Sequence, residues 1–208
     1  MTQITVNQKS FKSETTEFAK EATLNEVLDL ILDEVGENEI ITNIQINGQD
    51  IAIDEEEKYL AGQFQDYDKI DFTLQSSLEL AYEALESCNS YIDVVIEKIQ
   101  LMSDLYQSNK AGEANEIFGE VIEIMDLFVQ LISKITKTIR THLGEAFQKS
   151  NTIQKLEIHL LSVLKALVPA KEKDDIIMLC DLLEYELVDN LTQWKIKAIP
   201  ELKNQKQA

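Results

Sequence analysis

Two histidines, His142 and His159, are the first residues to test for chemistry, because imidazole binds metals and transfers protons near neutral pH. A dinuclear metal site in a helical bundle requires Glu-x-x-His on two helices, so that carboxylate and imidazole share one face. Here the residues three positions before the histidines are Ile139 and Leu156. The His142-x-x-Glu145 pair has the reversed order and falls at a predicted helix break. We therefore expect no metal, and interpret the histidines as helix-end and surface residues.

Other catalytic and cofactor-binding motifs are also missing from the sequence. The six glycines are isolated, so they form no phosphate loop, and no serine lies in a nucleophile elbow. Cys88 and Cys180 form no Cys-x-x-Cys motif, and each lies in an apolar helical pattern, where a reduced thiol behaves as a small hydrophobe. We therefore predict that the protein is not an enzyme and needs no cofactor. The alternative is an enzyme whose site combines scattered carboxylates and tyrosines that no motif reveals.

The candidate partner-binding residues are an acidic run and the only tryptophan. The run consists of Asp54, Glu55, Glu56 and Glu57, and it would suit a docking patch for a basic protein partner. The simpler interpretation is a solvated loop whose carboxylates face the positive end of the following helical turn. Trp194 lies on an apolar stripe, which favours the core, but also near the chain end, where an exposed indole would contact a partner.

The charge balance narrows the classes of partner. In 208 residues, 19 basic side chains stand against 38 acidic ones, a formal net charge of −19. A surface that neutralises nucleic-acid phosphates needs the opposite balance, and anionic membranes would repel this one. No signal peptide and no apolar run long enough to cross a membrane is present. We expect a protein partner, no nucleic acid, no membrane, and a bacterial-type cytoplasmic location.

Up to about residue 75 the hydrophobic period is mostly two, which predicts strands. Thr23 and Glu26 form a capping box that starts a helix, and Gly36 ends it. Asn47-Gly48 predicts a hairpin between two strands, the first with Ile40, Ile44 and Ile46 facing inward and Ile41, Asn43 and Gln45 outward. The predicted elements are strands at 4–6, 11–18, 40–46, 50–53 and 70–74, a helix at 24–35 and a helical turn at 55–61.

This order of elements resembles the ubiquitin-like β-grasp fold over residues 1–75. The resemblance implies a mixed sheet crossed by one helix. It does not extend to conjugation, because the last strand passes into a second capping box, Ser76 to Glu79, rather than into a free tail ending in two glycines. Nor does it imply the family's apolar docking patch, because Ile44 and Ile46 face inward and the outward residues of the last strand, Asp71, Thr73 and Gln75, are polar.

After residue 76 apolar residues recur about every 3.6 positions, which predicts a bundle of about four long antiparallel helices over 76–200. Residues 201–208 are mostly polar and are predicted to form a tail. The first helix carries a regular apolar stripe from Leu78 to Tyr106, and the second is apolar on neighbouring faces. The third runs from Thr152 to Leu167 and ends before Pro169, and the fourth runs from Lys171 to Ala198. The fold class is therefore α+β.

The helical half also resembles the flagellar export chaperone FliS, through the Gly-Glu-Ala-Asn-Glu sequence at 112–116 and the acidic late helix. We predict a non-enzymatic interaction module, an adaptor, regulator or assembly factor, acting through its β-grasp and helical parts. The alternative is a secretion-type chaperone with an apolar groove for a client helix. Because the first helical stripe is longer than a lone bundle requires, we also predict a homodimer through the helical half.

Overall fold

The computed structural model describes residues 2–11, 21–36, 38–52, 54–147 and 150–205. It has an N-terminal five-stranded mixed sheet followed by long helices, which confirms the predicted α+β class. The chain divides into two compact units, Met1–Leu80 and Ala81–Ala208, a few residues beyond the boundary expected from the change of period.

The first unit is a sheet crossed by one helix. Its strand order is β2-β1-β5-β3-β4, with β1 parallel to β5 and every other pair antiparallel. This is the β-grasp arrangement that the order of elements predicts. The elements are β1 Gln3–Val6, β2 Lys9–Ser10, α1 Leu24–Val35, β3 Glu39–Ile46, β4 Gln49–Asp50, α2 Glu56–Leu60 and β5 Lys69–Ser76. Most of the predicted strand at 11–18, and Ile53 at the end of the predicted fourth strand, lie outside the described residues.

Local signals in the sequence account for the ends of α1 and for the hairpin. The Glu26 amide donates to Thr23 Oγ1 at 3.3 Å, and the Thr23 amide donates to the Glu26 carboxylate at 2.8 Å, which completes the capping box. Asn47 and Gly48 both have positive φ, the backbone that a two-residue hairpin turn requires. One face of α1 then packs on the inward face of the sheet. The fully buried core residues of this unit include Leu24, Val27, Ile31, Ile70 and Phe72.

A β-bulge in β3 corrects part of the predicted alternation. Ile44 and Ile46 are buried as predicted, but Ile40 is 45% exposed and Ile41 packs against the core. The register between β3 and β5 shifts between Ile41 and Asn43, which places one extra residue on β3. Because a one-residue insertion exchanges the two faces of a strand, the residues before the bulge point opposite to the prediction.

The second unit is an up-and-down bundle of four antiparallel helices. Its helices are α3 Ser77–Gln107, α4 Ala111–Leu143, α5 Asn151–Glu172 and α6, residues 176–204. The end of α3 meets the start of α4, where Tyr106 donates to Asn115 at 2.7 Å. Lys195 of α6 pairs with Asp93 of α3 at 2.5 Å, and Lys203 pairs with Glu86 at 2.6 Å, so these helices also run in opposite directions.

The structure corrects the predicted end of α5 and the predicted start of α6. Helix α5 continues through Pro169 to Glu172, because Leu167 and Ala170 on either side of the proline are buried in the core. Pro169 has no N–H to bond the carbonyl four residues earlier, but the proline is exposed, so solvent can bond that carbonyl instead. Helix α6 begins at Ile176 rather than Lys171, since the Asp175 carboxylate caps the Met178 amide at 3.0 Å.

Helix α6 contains two π-helical segments, Leu182–Leu187 and Trp194–Ala198, between its α-helical turns. The second precedes Pro200, and the Ile199 amide bonds the Trp194 carbonyl five residues back. The helix then continues to Asn204, with Leu202 fully buried. Residues 201–204 therefore belong to the bundle and not to the predicted polar tail, while 206–208 lie outside the described residues. Within the described chain, no helix is long and apolar enough to span a membrane.

The capping box of α1 gives a test of the first unit. We expect Thr23→Ala to destabilise α1 by about 1 kcal/mol, because the Glu26 amide loses its acceptor at the helix start. Hydrogen exchange of the α1 backbone amides measures the change. Asn25→Ala, two positions further on and exposed, is the matched control; it removes only an exposed side-chain hydrogen bond to Asp29 and gains helix propensity, so protection should change little.

Candidate functional site

A long apolar groove lies between α4 and α5 in the bundle. It has two consecutive sections, of about 460 Å³ and about 390 Å³, and Val129 and Leu161 border both. On α4 it extends from Phe118 to Arg140, which is roughly 33 Å at about 1.5 Å per residue. A groove of that length matches a helix of about five to six turns. We call it the α4–α5 groove.

The first section of the groove is almost entirely apolar. Leu161 is 47% exposed and Val168 is 57% exposed, although both lie beside buried core positions. Lys171 closes this end, with its ammonium 5.3 Å from the centre of the Phe118 ring and hydrogen-bonded to Asn115. The charge of Lys171 is therefore already engaged. The section is lined by Phe118, Ile122, Met125, Asp126, Val129, Leu161, Leu164, Leu167, Val168, Lys171 and Glu172.

The second section lies over Trp194 of α6, and we call it the Trp194 section. Trp194 is fully buried and packs edge-on against Phe128, with ring centroids 5.9 Å apart. Its indole Nε1–H and the buried Thr136 hydroxyl oxygen find no hydrogen-bond partner within the described chain. The groove wall here carries Lys137, Arg140 and Glu157. Neither Lys137 nor Arg140 forms an ion pair with any residue that the structure describes.

A polar cluster holds α6 against α5, one helical turn before Trp194. The Asn190 side-chain amide donates to the Leu156 carbonyl at 3.1 Å and to His159 Nδ1 at 3.0 Å. Since His159 Nδ1 accepts, its Nε2 carries the proton and donates to the Glu186 carboxylate at 3.0 Å. His159 thus links two helices. His142 lies in the last turn of α4, as the sequence suggested.

The acidic run lies in the first unit, in the turn before α2 and at the start of that helix. Asp54 and Glu55 form a turn, and Glu56 and Glu57 occupy the first turn of α2, where carboxylates are favourable to the helix dipole. A shallow depression between α2 and the start of α1 is bordered by Glu56, Glu57 and Asn25.

Trp194 lies in the other unit and is buried, so the expectation of an exposed indole that contacts a partner is wrong.

The sequence indicated half of the groove. The second apolar face of α4, with Phe118 and Ile122, was visible as an apolar arc wider than one neighbouring helix covers. The α5 wall was missed, although Leu161, Leu164 and Val168 are spaced by three and four residues beside the main stripe. That spacing was the available signal, but a second stripe does not reveal whether another helix covers it.

The thiols of Cys88 and Cys180 are protonated near neutral pH, because burial raises the pKa of both. Cys88 is fully buried, and its burial raises the pKa of the thiol to about 11. Burial also raises the pKa of the partly exposed Cys180 thiol. Neither cysteine is therefore a ready nucleophile near neutral pH.

Comparison with known families matches each unit separately. Residues 83–197, more than half of the chain, match the family described as a domain of unknown function, DUF8042. Residues 2–76 match the family described as the TP0873 N-terminal domain. No curated protein and no solved structure matches the chain. The two family matches meet close to the division between the compact units.

The unpartnered indole N–H leads to a prediction about stability. We expect Trp194→Phe to destabilise the bundle by less than about 1.5 kcal/mol, because it removes a buried donor that has no acceptor while keeping most of the packing on Phe128. Trp194→Ala should cost about 3–5 kcal/mol through lost burial and a cavity. Urea unfolding followed by far-ultraviolet circular dichroism compares the two variants. Equal losses would mean that the indole N–H is hydrogen-bonded in solution.

Proposed function

We propose, on the premise that this chain belongs to the DUF8042 family, that it is a non-enzymatic protein-interaction module whose bundle binds an amphipathic helix of a partner in the α4–α5 groove. The observation that carries the proposal is the groove itself, an apolar depression of helical length with Leu161 and Val168 exposed along its α5 wall. The adaptor and chaperone interpretations of the sequence both fit such a site, since both bind a client helix.

The exposed apolar side chains favour a helical occupant. A helix that lies in a groove places apolar residues at positions i, i+3 or i+4, and i+7 against it. The α5 wall offers Leu161, Leu164 and Val168 at the same spacing, facing Phe118 and Ile122 across the groove. Burying side chains such as these contributes about 25 cal/mol per Å² of apolar area removed from water. Trp194 and Phe128, buried at the base of the second section, provide a firm aromatic floor.

We also propose that this activity takes place in the cytoplasm, because both cysteines are free, as is usual in a reducing compartment. The acidic run and the β-grasp unit remain a second candidate surface for a basic protein partner.

A peptide-display selection tests the groove directly. A library of randomised 20-residue peptides is selected on the full-length protein, and enriched peptides are measured by fluorescence anisotropy. We expect the enriched peptides to carry apolar residues at helical spacing, because only that pattern fills the groove. The double substitution Leu161→Asp with Val168→Asp should weaken their binding at least about tenfold, since it places charges in the apolar section.

The matched control changes two equally exposed apolar residues elsewhere on the bundle. Ile177→Asp with Tyr185→Asp alters α6 at positions 78% and 69% exposed, neither of which lines the groove. This variant should bind the peptides as the wild type does. A selection that yields no peptide with helical apolar spacing, or peptides equally weakened by both variants, would rule out the groove as the binding site.

We further propose self-association through α3, for a reason different from the one the sequence suggested. The long α3 stripe is already buried inside the chain's own bundle, including Leu85, Ile92 and Ile99. On the outward side of α3, however, Tyr91, Val94 and Leu101 are each close to half exposed. A two-fold symmetric pairing of this face would cover them.

Sedimentation equilibrium at micromolar concentration and physiological salt measures the association. We expect a dimer for the wild type and a monomer for Val94→Lys with Leu101→Lys, because the two cations would face each other across the pairing axis. Leu127→Lys on α4, 65% exposed, is the control and should leave the dimer intact. A monomeric wild type would exclude this pairing.

A further inference from the structure

We propose that the partner helix carries acidic side chains at one end, and that this end lies in the Trp194 section of the groove. The inference rests on the proposed helix-binding function and specifies the chemistry of its partner. Two independent features of the section support it: two cations that form no ion pair with a described residue, and two buried polar atoms that form no hydrogen bond with one.

The first feature is the contrast between the two ends of the groove. At the apolar end, Lys171 is bonded to Asn115 and lies over the Phe118 ring, so its charge is satisfied inside the chain. At the other end, Lys137 and Arg140 line the wall and form no ion pair with the described residues. Arg140 lies in the last turn of α4, where a cation is favourable to the helix dipole, but the dipole does not require either cation to face a groove.

Lys137 and Arg140 lie in a chain whose acidic residues outnumber the basic ones two to one. Five of the described lysines pair with a carboxylate, Lys98, Lys195 and Lys203 among them, but Lys137 does not. Glu157 is the one acidic residue lining the Trp194 section. Two cations and one carboxylate leave a local positive excess at that wall, which a carboxylate of the partner would complement.

The second feature is the indole of Trp194. Its N–H is a donor only, it is fully buried, and the described chain offers it no acceptor. Buried donors are nearly always satisfied, and this one belongs to the groove lining, so we infer that an acceptor on the partner reaches it when the lining side chains shift on binding. The Thr136 oxygen, also buried and unpartnered, lies in the same lining. A carboxylate oxygen, directly or through a bound water, would supply what both the indole and the cations lack.

Long-range repulsion does not exclude an acidic occupant. The net charge of −19 acts over the whole molecule, but charges further away than about 8 Å are largely screened at physiological salt. Contacts inside the groove are shorter than that and are partly removed from water. The local cations therefore decide the sign of the interaction at this end.

The peptides from the display selection serve as the probe. We expect the enriched peptides to carry Asp or Glu at one end of the apolar pattern, and conversion of those residues to Asn or Gln to weaken binding about 3- to 10-fold on the wild type. On Lys137→Gln with Arg140→Gln the same peptide change should have little effect. Lys134→Gln with Lys155→Gln removes the same charge at exposed positions outside the groove lining and should keep the full sensitivity.

Tryptophan fluorescence provides a second measurement, because Trp194 is the only tryptophan in the chain. Binding of the acidic peptide should change its emission, and binding of the neutral peptide should change it less. Enriched peptides with no acidic end, or with an acidic end whose effect survives the loss of Lys137 and Arg140, would overturn this inference and leave helix binding standing. An acidic effect with no response from Trp194 would overturn its placement in this section. Failure to select any helical peptide would instead remove the proposed function.

Discussion

The width of the apolar arc on α4 is the constraint on which the bundle depends. A helix in a four-helix bundle buries a stripe against two neighbours, and here α4 buries Val121, Met125, Phe128, Ile132 and Ile135 in that way. Its arc continues through Phe118, Ile122 and Val129, which the neighbouring helices only partly cover. Because α5 repeats this excess on the facing side, the bundle closes around its core and leaves a groove along one edge.

Helix α6 is the fourth helix of the bundle, and its backbone departs from a regular α-helix in two places. Two π-helical segments rotate its faces relative to a regular helix, and Trp194 begins the second of them. The result is a tryptophan buried between helices, packed on Phe128, with its N–H at a site that the described chain leaves unsatisfied. An unsatisfied buried donor lowers stability unless something else bonds it, and π-helical turns are often found at functional sites. Both features point to the same end of the groove.

The two units differ in the side chains that they expose to solvent. In the β-grasp unit the polar residues Asn43, Gln45 and Asp71 lie on the outward face of the sheet, and Val35 and Ile40 are its exposed large apolar side chains among the described residues. Asn43 and Gln45 both donate to Asp50, and these bonds lower the pKa of its carboxyl group. The bundle instead exposes apolar side chains on α3, α4, α5 and α6. For this reason we look for the binding surface on the bundle.

The sequence by itself determined the fold class, the order of the elements and their best-marked ends. Thr23 with Glu26, Asn47-Gly48 and the 3.6-residue stripes act over a few residues, so their effect on the backbone is readable without knowing the neighbours. The β3 bulge, the continuation of α5 through Pro169 and the π turns of α6 are different. Each is a locally unfavourable choice that long-range burial outweighs, as the buried Ile44, Ala170 and Leu202 show.

The candidate site was decided almost entirely by tertiary structure. Composition could show that α4 is apolar on two faces, but not which face a neighbour covers, because coverage depends on how four helices pack. The same holds for Trp194, whose place near the chain end suggested exposure while its contact with Phe128 buries it. Whether Lys137 and Arg140 are paired depends on distances between helices, which residue spacing along one helix does not contain.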